Sequence, residues 1–202
     1  MSGLTVGQRA PSFHLPSGQG PEIGPDDYRG RSNLIVWFTK GMACPFCRQH
    51  MSQLARGYHA FQALQTEILE VTTTTPERAR IYAKSFQIPF PYLCDPDYEV
   101  RRAYGLEIRS QSLATAAKKL YAGLTAPPPP SDFGKVQPSL GEIPKLVADD
   151  DMGLFILDKD SIVRYALSGA YGTTGGPRGI ASNEELIREL QRCEQGESRA
   201  TQ

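Results

Sequence analysis

A seven-residue apolar run, NLIVWFT at Asn33–Thr39, most constrains how this chain can fold. The run is rich in β-branched and aromatic residues and ends at a glycine-containing loop, which predicts a buried strand. Beyond the loop, apolar residues recur at helical spacing, namely at Cys47, Met51, Leu54, Tyr58 and Phe61. This spacing predicts a helix that begins near Cys44 or Pro45 and ends at about Leu64.

The alternation of strand and helix continues through the first half of the chain. The run at Glu67–Thr75 predicts a second strand, and a helix is expected to start at Pro76. A third strand is expected over Pro91–Cys94, followed by a helix that ends at Gly105. Such alternation favours an α/β fold with a parallel-type sheet that is covered by helices on both faces.

Residues 107–150 interrupt this alternation, and we interpret them as an insertion or lid. The segment contains a candidate helix at Ser112–Leu124, the tract APPPPSDFG and the acidic sequence ADDD. Prolines cannot continue a helix, so the tract is expected to be extended and exposed. A solvated spacer and a functional segment are both open interpretations.

The alternation resumes after the insertion. Gly153–Leu167 contains two apolar runs around a polar turn, which predicts a β-hairpin. Ser182 and Glu185 have the spacing of a capping box, so a final helix is expected to cover the sheet. Since the sequence contains no internal repeat and no clear linker, residues 1–202 are predicted to form a single domain.

Composition narrows the partners that the protein can have. The 202 residues include 22 Lys plus Arg and 22 Asp plus Glu, so no net charge would attract nucleic acid or anionic lipid. No run of about 18 apolar residues occurs, and the N-terminal sequence lacks the apolar stretch of a signal peptide. We therefore expect a cytoplasmic protein that binds neither nucleic acid nor a membrane.

Cys44 and Cys47 form a C-P-F-C sequence that needs a chemical explanation. The chain's four cysteines are too few for a secreted disulfide framework, and C-x-x-C in a cytosolic chain is more often redox or metal chemistry. Zinc usually takes four ligands, whereas Cys44, Cys47 and His50 offer at most three. Arg48 stands where c-type haem attachment requires a histidine. We therefore expect neither a metal nor a cofactor.

The position of Cys44 predicts a reactive thiol. In the first turn of a helix it faces unpaired backbone N–H groups and the positive end of the helix dipole, which stabilise a thiolate. Arg48, one turn along the same face, could add a positive charge. The Cα atom of Cys47 would lie about 5 to 6 Å from that of Cys44, within the span of a disulfide. A pair of working thiols is favoured, with a buried structural pair as the alternative.

The other cysteines and the polar residues nearby have simpler explanations. Cys94 lies in a predicted strand and Cys193 on the last helix, so both are expected to pack rather than react. His50 and His59 are expected to be exposed on the helix after the first strand. Thr39, at the carboxyl end of that strand, either offers its hydroxyl to the cysteine site or packs within the strand.

Four segments of the chain carry a family resemblance. They are VGQRAPSFHL, WFTKGMACPFCRQHMSQL, PYLCDPDYEVRRAYGL and GLFILDKDSIVRY. These segments resemble the peroxiredoxin-like branch of the AhpC/TSA (alkyl hydroperoxide reductase and thiol-specific antioxidant) superfamily. The resemblance implies a thioredoxin-like fold, in which a central mixed β-sheet is flanked by helices, with the insertion at about 107–150. It also implies an enzyme, a thiol-dependent antioxidant oxidoreductase without a cofactor.

The resemblance assigns roles to the two cysteines. Cys44 corresponds to the peroxidatic cysteine, which attacks a hydroperoxide and becomes a sulfenic acid, and Cys47 would resolve it as a disulfide. Thioredoxin, glutaredoxin or a similar thiol would then reduce the disulfide. A homodimer is left open as the assembly state.

Two positions depart from the family pattern. The family's threonine lies three residues before the cysteine, whereas Thr39 lies five residues before Cys44. Met152 replaces an arginine that commonly precedes the GLFILD-like strand. Arg48, or Arg109 in the insertion, would have to supply the missing cation, because preorganised charge is often the largest catalytic contribution.

Two alternative functions are open. The C-P-F-C sequence also looks like the active sites of thioredoxins and glutaredoxins, which implies a protein disulfide oxidoreductase with little peroxidase activity. The second alternative is a non-enzymatic redox sensor whose proline-rich insertion docks a partner when the disulfide forms.

Overall fold

A six-stranded mixed sheet is the centre of the fold. The computed structural model describes residues 3–109, 117, 121, 133–134, 136–170 and 181–194. Its strands, in chain order, are β1 (Leu15–Pro16), β2 (Glu22–Ile23), β3 (Asn33–Thr39), β4 (Thr66–Thr72), β5 (Tyr92–Cys94), β6 (Ile108–Arg109), β7 (Asp149–Leu157) and β8 (Val163–Ala170). Its helices are α1 (Pro45–Ala63), α2 (Pro76–Phe86), α3 (Glu99–Ala103), α4 (Ile143–Val147) and α5 (Asn183–Glu194).

The pairing of the strands confirms the predicted fold class. The sheet has the order β5-β4-β3-β7-β6, and β8 also pairs with β7. β3, β4 and β5 run parallel to one another, as the alternation of strand and helix predicts. β7 is antiparallel to β3, β6 and β8, which makes the sheet mixed. β1 and β2 form a separate two-stranded sheet.

The buried strand β3 supplies two hydrophobic clusters because its side chains alternate between the two faces of the sheet. Ile35 and Trp37 enter one cluster, which includes residues of α1, α2 and α5. Leu34, Val36 and Phe38 enter the other, which includes residues of the N-terminal segment and α3. Helices therefore lie on both faces, and the cysteine pair follows a strand whose seven residues are all buried.

Helix α1 begins and ends where its sequence predicts. Cys44 is the N-cap residue and Pro45 occupies the first helical position, where its missing N–H has no bond to lose. Four of the five residues of the predicted stripe are buried, with Cys47 and Leu54 at most 2% exposed and Met51 and Phe61 fully buried, while Tyr58 is half-buried against the core.

The later elements also agree closely with the sequence. The second strand ends at Thr72 rather than at Thr75, and α2 starts at Pro76. Gly105 has φ +72°, which suits a glycine at the end of a helix. The predicted hairpin is formed by β7 and β8, and the Glu185 N–H donates to Ser182 Oγ over 3.2 Å at the start of α5.

Half of the predicted insertion lies outside the described residues. This holds for the candidate helix at Ser112–Leu124, except residues 117 and 121, and for the proline tract. The described ends of the insertion belong to the sheet, because β6 pairs with the first residues of β7 and α4 precedes that strand. Of the helices that are described, none is long and apolar enough to span a membrane.

Candidate active site

Cys44 lies after strand β3, at the N-terminal end of helix α1. Its backbone is extended, and its sulfur accepts a hydrogen bond from the Cys47 N–H over 3.4 Å. The Cys44 N–H donates to the carbonyl of Gly41 over 3.1 Å, which fixes the preceding loop. Cys44 is half-buried, and both cysteines are free thiols. The sulfur of Cys44 therefore lies at the N-terminal end of α1, as the sequence predicts.

The surroundings of Cys44 favour its thiolate. The hydrogen bond from the Cys47 thiol is the largest cause of a lowered pKa at Cys44, while burial acts in the opposite direction and raises that pKa. The backbone N–H groups of Cys47 and Phe46 and the charge of Lys40 act in the same direction as the thiol. Together they lower the pKa of Cys44 from 9.0 to about 7. About half of Cys44 is therefore thiolate at neutral pH.

Cys47 has the opposite ionisation behaviour. Its side chain is buried in the core, with 2% exposure. Burial, followed by the hydrogen bond to Cys44 and the thiolate charge there, raises the pKa of Cys47 well above 9.0. The two thiols thus differ in both access and acidity: Cys44 is half-buried and has the lowered pKa, and Cys47 is buried and has the raised pKa.

Lys40 is the cation that the sequence analysis missed. Its Nζ lies 2.9 Å from Asp150 Oδ1 and donates to the backbone carbonyls of Leu146 and Ala148, over 3.1 and 2.6 Å. Its charge lowers the pKa of Cys44. Its position directly after β3, in the loop that precedes Cys44, was the available signal.

Arg48, the cation expected from the sequence, holds the loop before the cysteine. Its side chain is buried, and Nη1 donates to the carbonyl of Met42 over 2.7 Å. Burial lowers the pKa of Arg48, while the charges of Cys44 and Cys47 raise it. Arg48 is thus close enough to act electrostatically on both cysteines.

Thr39 is fully buried, and its hydroxyl forms hydrogen bonds beneath residues 40–43, the loop between β3 and Cys44 that we call the cysteine loop. It donates to Glu70 Oε1 and accepts from the Gly41 N–H, each over 2.8 Å. Met152, in place of the family's arginine, is buried on β7. Arg109 lies on β6, and its side chain is outside the described part of the structure.

A second buried arginine, Arg101 of α3, also reaches this region. Its Nη2 donates to the Thr39 carbonyl over 2.7 Å, and its Nη1 lies 3.6 Å from Asp150 Oδ2. Asp150 therefore lies between two cations, Lys40 and Arg101. The charge of Cys47 raises the pKa of Arg101, although burial lowers it more. No local sequence pattern predicts that Arg101 lies near the cysteines, because its contacts are with residues that are distant along the chain.

Polar side chains are buried directly beneath the cysteine loop. We call this group the buried polar cluster; it consists of Thr39, Glu70, Thr72, Thr74 and Tyr92. The Tyr92 hydroxyl accepts from the Met42 N–H and lies 2.9 Å from Thr74 Oγ1. A Cβ at Gly41, where φ is +75°, would lie 2.2 Å from the Tyr92 hydroxyl. The loop can approach the cluster this closely only because residue 41 is a glycine.

The structure corrects one sequence expectation about the histidines. His50 is buried rather than exposed, and its ring packs against Trp37 with 6.3 Å between centroids. Burial lowers the pKa of His50 to about 4, so it is neutral at physiological pH. The error arises because α1 is buried beyond its apolar stripe. His59 is exposed, as expected.

The two remaining cysteines pack in the core, as expected. Cys94 is buried on β5, and burial raises its pKa to about 12. Cys193 is half-buried against the core, and burial raises its pKa to about 11. Neither thiol is activated. Within the described ranges, no three Cys, His, Asp or Glu residues are grouped so that they could hold a metal ion.

A mixed sheet whose buried central strand leads into a helix headed by a cysteine pair defines a thiol protein of the thioredoxin fold. A model of the AhpC/TSA family matches residues 6–127, and the chain belongs to that family. Both the fold and the family predicted from the sequence are thereby confirmed.

Curated relatives match about half of the chain. A Mycobacterium tuberculosis protein named "Putative peroxiredoxin Rv2521" is 31% identical over 102 residues, which cover 50% of this chain and 64% of that protein. Peroxiredoxin Bcp of Escherichia coli K12 is 26% identical over 106 residues, covering 52% and 67%. The chain therefore spans less than two thirds of the length of the mycobacterial relative.

Solved structures support the same fold. The crystal structure of peroxidoxin BcpB from Mycobacterium tuberculosis has a TM-score of 0.62 and 14% identity, covering 94% of this chain and 97% of that one. A hypothetical protein of Sinorhizobium meliloti has a TM-score of 0.62 and 18% identity, covering 100% and 90%. At these identities the likeness concerns the fold alone.

Proposed function

We propose that the protein is a thiol-dependent peroxidase in which Cys44 is the peroxidatic cysteine and Cys47 the resolving cysteine. One observation carries the proposal: the half-buried sulfur at the mouth of α1 has a pKa lowered to about 7, and it lies beside a buried thiol whose pKa is raised. Membership of the AhpC/TSA family and the similarity to peroxiredoxins support the same chemistry.

The first step is the attack of the Cys44 thiolate on a hydroperoxide. A sulfur–oxygen bond forms, the oxygen–oxygen bond breaks, and the leaving alkoxide or hydroxide takes a proton to become an alcohol or water. Cys44 is oxidised to a sulfenic acid. The positive charge of Lys40, and the buried guanidinium of Arg48, would favour the thiolate and the negative charge that develops on the leaving oxygen.

The second step closes the disulfide. Cys47 loses its proton, its sulfur attacks the sulfenic sulfur of Cys44, and hydroxide leaves as water after protonation. An external thiolate then attacks the disulfide at Cys44, the more accessible sulfur, and Cys47 leaves as a thiolate that takes up a proton. A second external thiol releases Cys44, and the reductant is left as a disulfide.

Thr39 is proposed to organise this site rather than to contact peroxide. Its hydroxyl bridges Glu70 and the Gly41 N–H, so it holds the loop that precedes Cys44. This placement fits its position in the sequence, where it lies two residues further from the cysteine than the family's threonine does.

A disulfide oxidoreductase is the second candidate function. Phe46, between the two cysteines, is exposed next to the half-buried Cys44 sulfur. An exposed aromatic side chain at this place would contact a protein substrate that carries a disulfide. The chemistry of the two thiols is the same in both functions, and only the oxidised substrate differs.

The setting of the enzyme is also part of the proposal. We propose that residues 1–202 act as one thioredoxin-like domain in the cytoplasm, where thioredoxin- or glutaredoxin-type reductants keep thiols reduced. A homodimer is proposed as an assembly to be tested by light scattering.

Two assays on one preparation test the function. Peroxide-dependent NADPH oxidation through thioredoxin reports peroxidase activity, and reduction of insulin disulfides reports oxidoreductase activity. We expect rapid peroxide-dependent NADPH oxidation and negligible reduction of insulin disulfides. Cys44→Ser should abolish turnover, whereas Cys47→Ser should form a sulfenic acid and stop there. Full peroxidase activity in Cys44→Ser would refute the assignment.

A further inference from the structure

Residues 136–148, which we call the strap, lie across the edge of the sheet at which the cysteine pair is found. The strands β3, β4 and β5 are parallel, so their carboxyl ends share one edge, and Cys44 follows the first of them. The strap contacts a residue just beyond the end of each strand, namely Lys40, Thr73 and Pro96. The proposed function gives this segment no role, although it belongs to the predicted insertion.

Glu142 anchors the strap to α2. Its side chain is buried, and its carboxylate accepts a hydrogen bond from the Tyr82 hydroxyl over 2.8 Å. The N–H and the hydroxyl of Ser139 donate to the same carboxylate over 2.8 and 2.9 Å. Arg78 Nε lies 3.4 Å from this carboxylate, and Nη2 donates to the carbonyl of Gln137 over 2.8 Å. A buried carboxylate with several donors is costly to release, so this end of the strap is firmly held.

Lys145, on α4, anchors the strap to the ends of two strands. Its Nζ donates to the carbonyl of Thr73, after β4, over 2.7 Å, and to that of Pro96, beyond β5, over 3.2 Å. The same ammonium lies 5.9 Å from the centre of the Tyr98 ring. Because one cation bridges two strand ends, the strap cannot move along this edge without breaking both hydrogen bonds.

The last part of the strap holds the cysteine loop through Lys40, the first residue of that loop. Lys40 Nζ donates to the carbonyls of Leu146 and Ala148 over 3.1 and 2.6 Å. Asp150 Oδ1, at the start of β7, lies 2.9 Å from the same atom. The lysine side chain is 11% exposed, so these oxygens replace most of its contact with water. A lysine stem is flexible, and the strap therefore fixes where its charge lies.

Two kinds of contact thus hold the cysteine loop. The buried polar cluster bonds to its backbone, through the N–H groups of Gly41 and Met42, whereas the strap holds its side chain at Lys40. Cys44 follows the loop directly, and its N–H donates to the carbonyl of Gly41. A movement of the loop would therefore move the Cys44 sulfur.

We propose that the strap is a clamp that holds the cysteine loop, and that Glu142 and Lys145, which anchor it, are positioning residues for the Cys44 thiol. The inference rests on the proposed role of Cys44 as the nucleophile, and it applies equally to peroxide and to disulfide substrates. The charge of Lys40 favours the Cys44 thiolate, so a strap that detaches would take away part of that support. Of the two interpretations of the insertion, the contacts of the strap favour a functional segment over a solvated spacer.

Glu142→Ala removes the anchor on α2, and hydrogen exchange of the Gly41 and Met42 amides, read by NMR, measures the effect on the loop. We expect these two amides to exchange about tenfold faster, because the loop opens more often once the strap is loosened. The matched control is Glu67→Ala, which also removes a carboxylate bonded to a tyrosine, Tyr58, but lies outside the strap and should leave both amides at the wild-type rate. Loop amides that are unchanged in Glu142→Ala, or equally accelerated in Glu67→Ala, would overturn the proposal.

A second measurement separates positioning from a general loss of stability. The pH midpoint of Cys44 alkylation should rise by about 0.5 in Glu142→Ala, because the charge of Lys40 is no longer held in place. Glu142→Gln keeps an oxygen acceptor for the tyrosine and should restore most of the wild-type midpoint. In a Lys40→Met background, Glu142→Ala should add no further change, since the strap acts through that lysine. Equal shifts in both backgrounds, or no shift in either, would contradict the proposal.

If Glu142→Ala does not fold, Lys145→Met provides the same tests, because it removes the anchor on the strand ends and keeps the buried carboxylate. None of these measurements uses peroxide, so they can succeed or fail whether or not the protein is a peroxidase. The peroxide and insulin assays judge the proposed function separately.

Discussion

Replacing Cys47 by alanine should make Cys44 a much poorer nucleophile. The largest cause of the lowered pKa of Cys44 is the hydrogen bond from the Cys47 thiol, so removing that donor should move the pKa from about 7 towards 9.0. If the whole shift were lost, the thiolate fraction at pH 7 would fall from about one half to about one hundredth. Cys47→Ser keeps a hydroxyl donor and should shift the pKa less.

The assay is the rate of iodoacetamide alkylation of Cys44 as a function of pH, read by mass spectrometry. Cys94 and Cys193, whose pKa values are raised to about 12 and about 11, will not compete near neutral pH. The pH at the midpoint of Cys44 alkylation is expected to be lowest in the wild type, higher in the serine variant and highest in the alanine variant. A midpoint in the alanine variant that equals the wild-type value would show that the neighbouring thiol does not set the acidity of Cys44.

Three further predictions follow from other contacts. Lys40→Met should raise the pKa of Cys44, because it removes a cation that favours the thiolate; an unchanged alkylation profile would contradict this. Gly41→Ala should cost about 2 kcal/mol or more in urea denaturation, because a Cβ there would lie 2.2 Å from a tyrosine hydroxyl. Gly7→Ala shares the positive φ but has open space, so it should cost less. Glu70 keeps its proton to about pH 8 when folded, against an ordinary value of 4.5, so the free energy of unfolding should fall as pH rises between these values, and Glu70→Gln should flatten that slope.

The elements that position the cysteines could be predicted because their signals are local. The apolar run of β3, the proline at the first position of α1 and the apolar stripe of that helix all lie within about one strand and one helix of sequence. Such signals fix both where the helix begins and which of the two sulfurs stands at its mouth. The difference in acidity between Cys44 and Cys47 follows from the same local geometry.

The groups around the cysteines could not be predicted, because the chain brings them together from distant positions. Lys40 meets Asp150, Arg101 meets Thr39, and Glu70 reaches the site from the neighbouring strand. Each of these contacts depends on the order of strands in the sheet. The sequence alone does not show which partner a charged residue contacts. For this reason Arg48, rather than Lys40, was expected to supply the positive charge near Cys44.

Asp150 gives the first residues of β7 an influence on the chemistry of the cysteines. This single carboxylate is shared by Lys40, whose charge lowers the pKa of Cys44, and by Arg101, whose own pKa is raised by the charge of Cys47. The carbonyls of Leu146 and Ala148 hold the same lysine. These residues are far from the cysteines in sequence. Substitutions among residues 146–150 are nevertheless expected to change the oxidation rate of the cysteines as well as the stability of the fold.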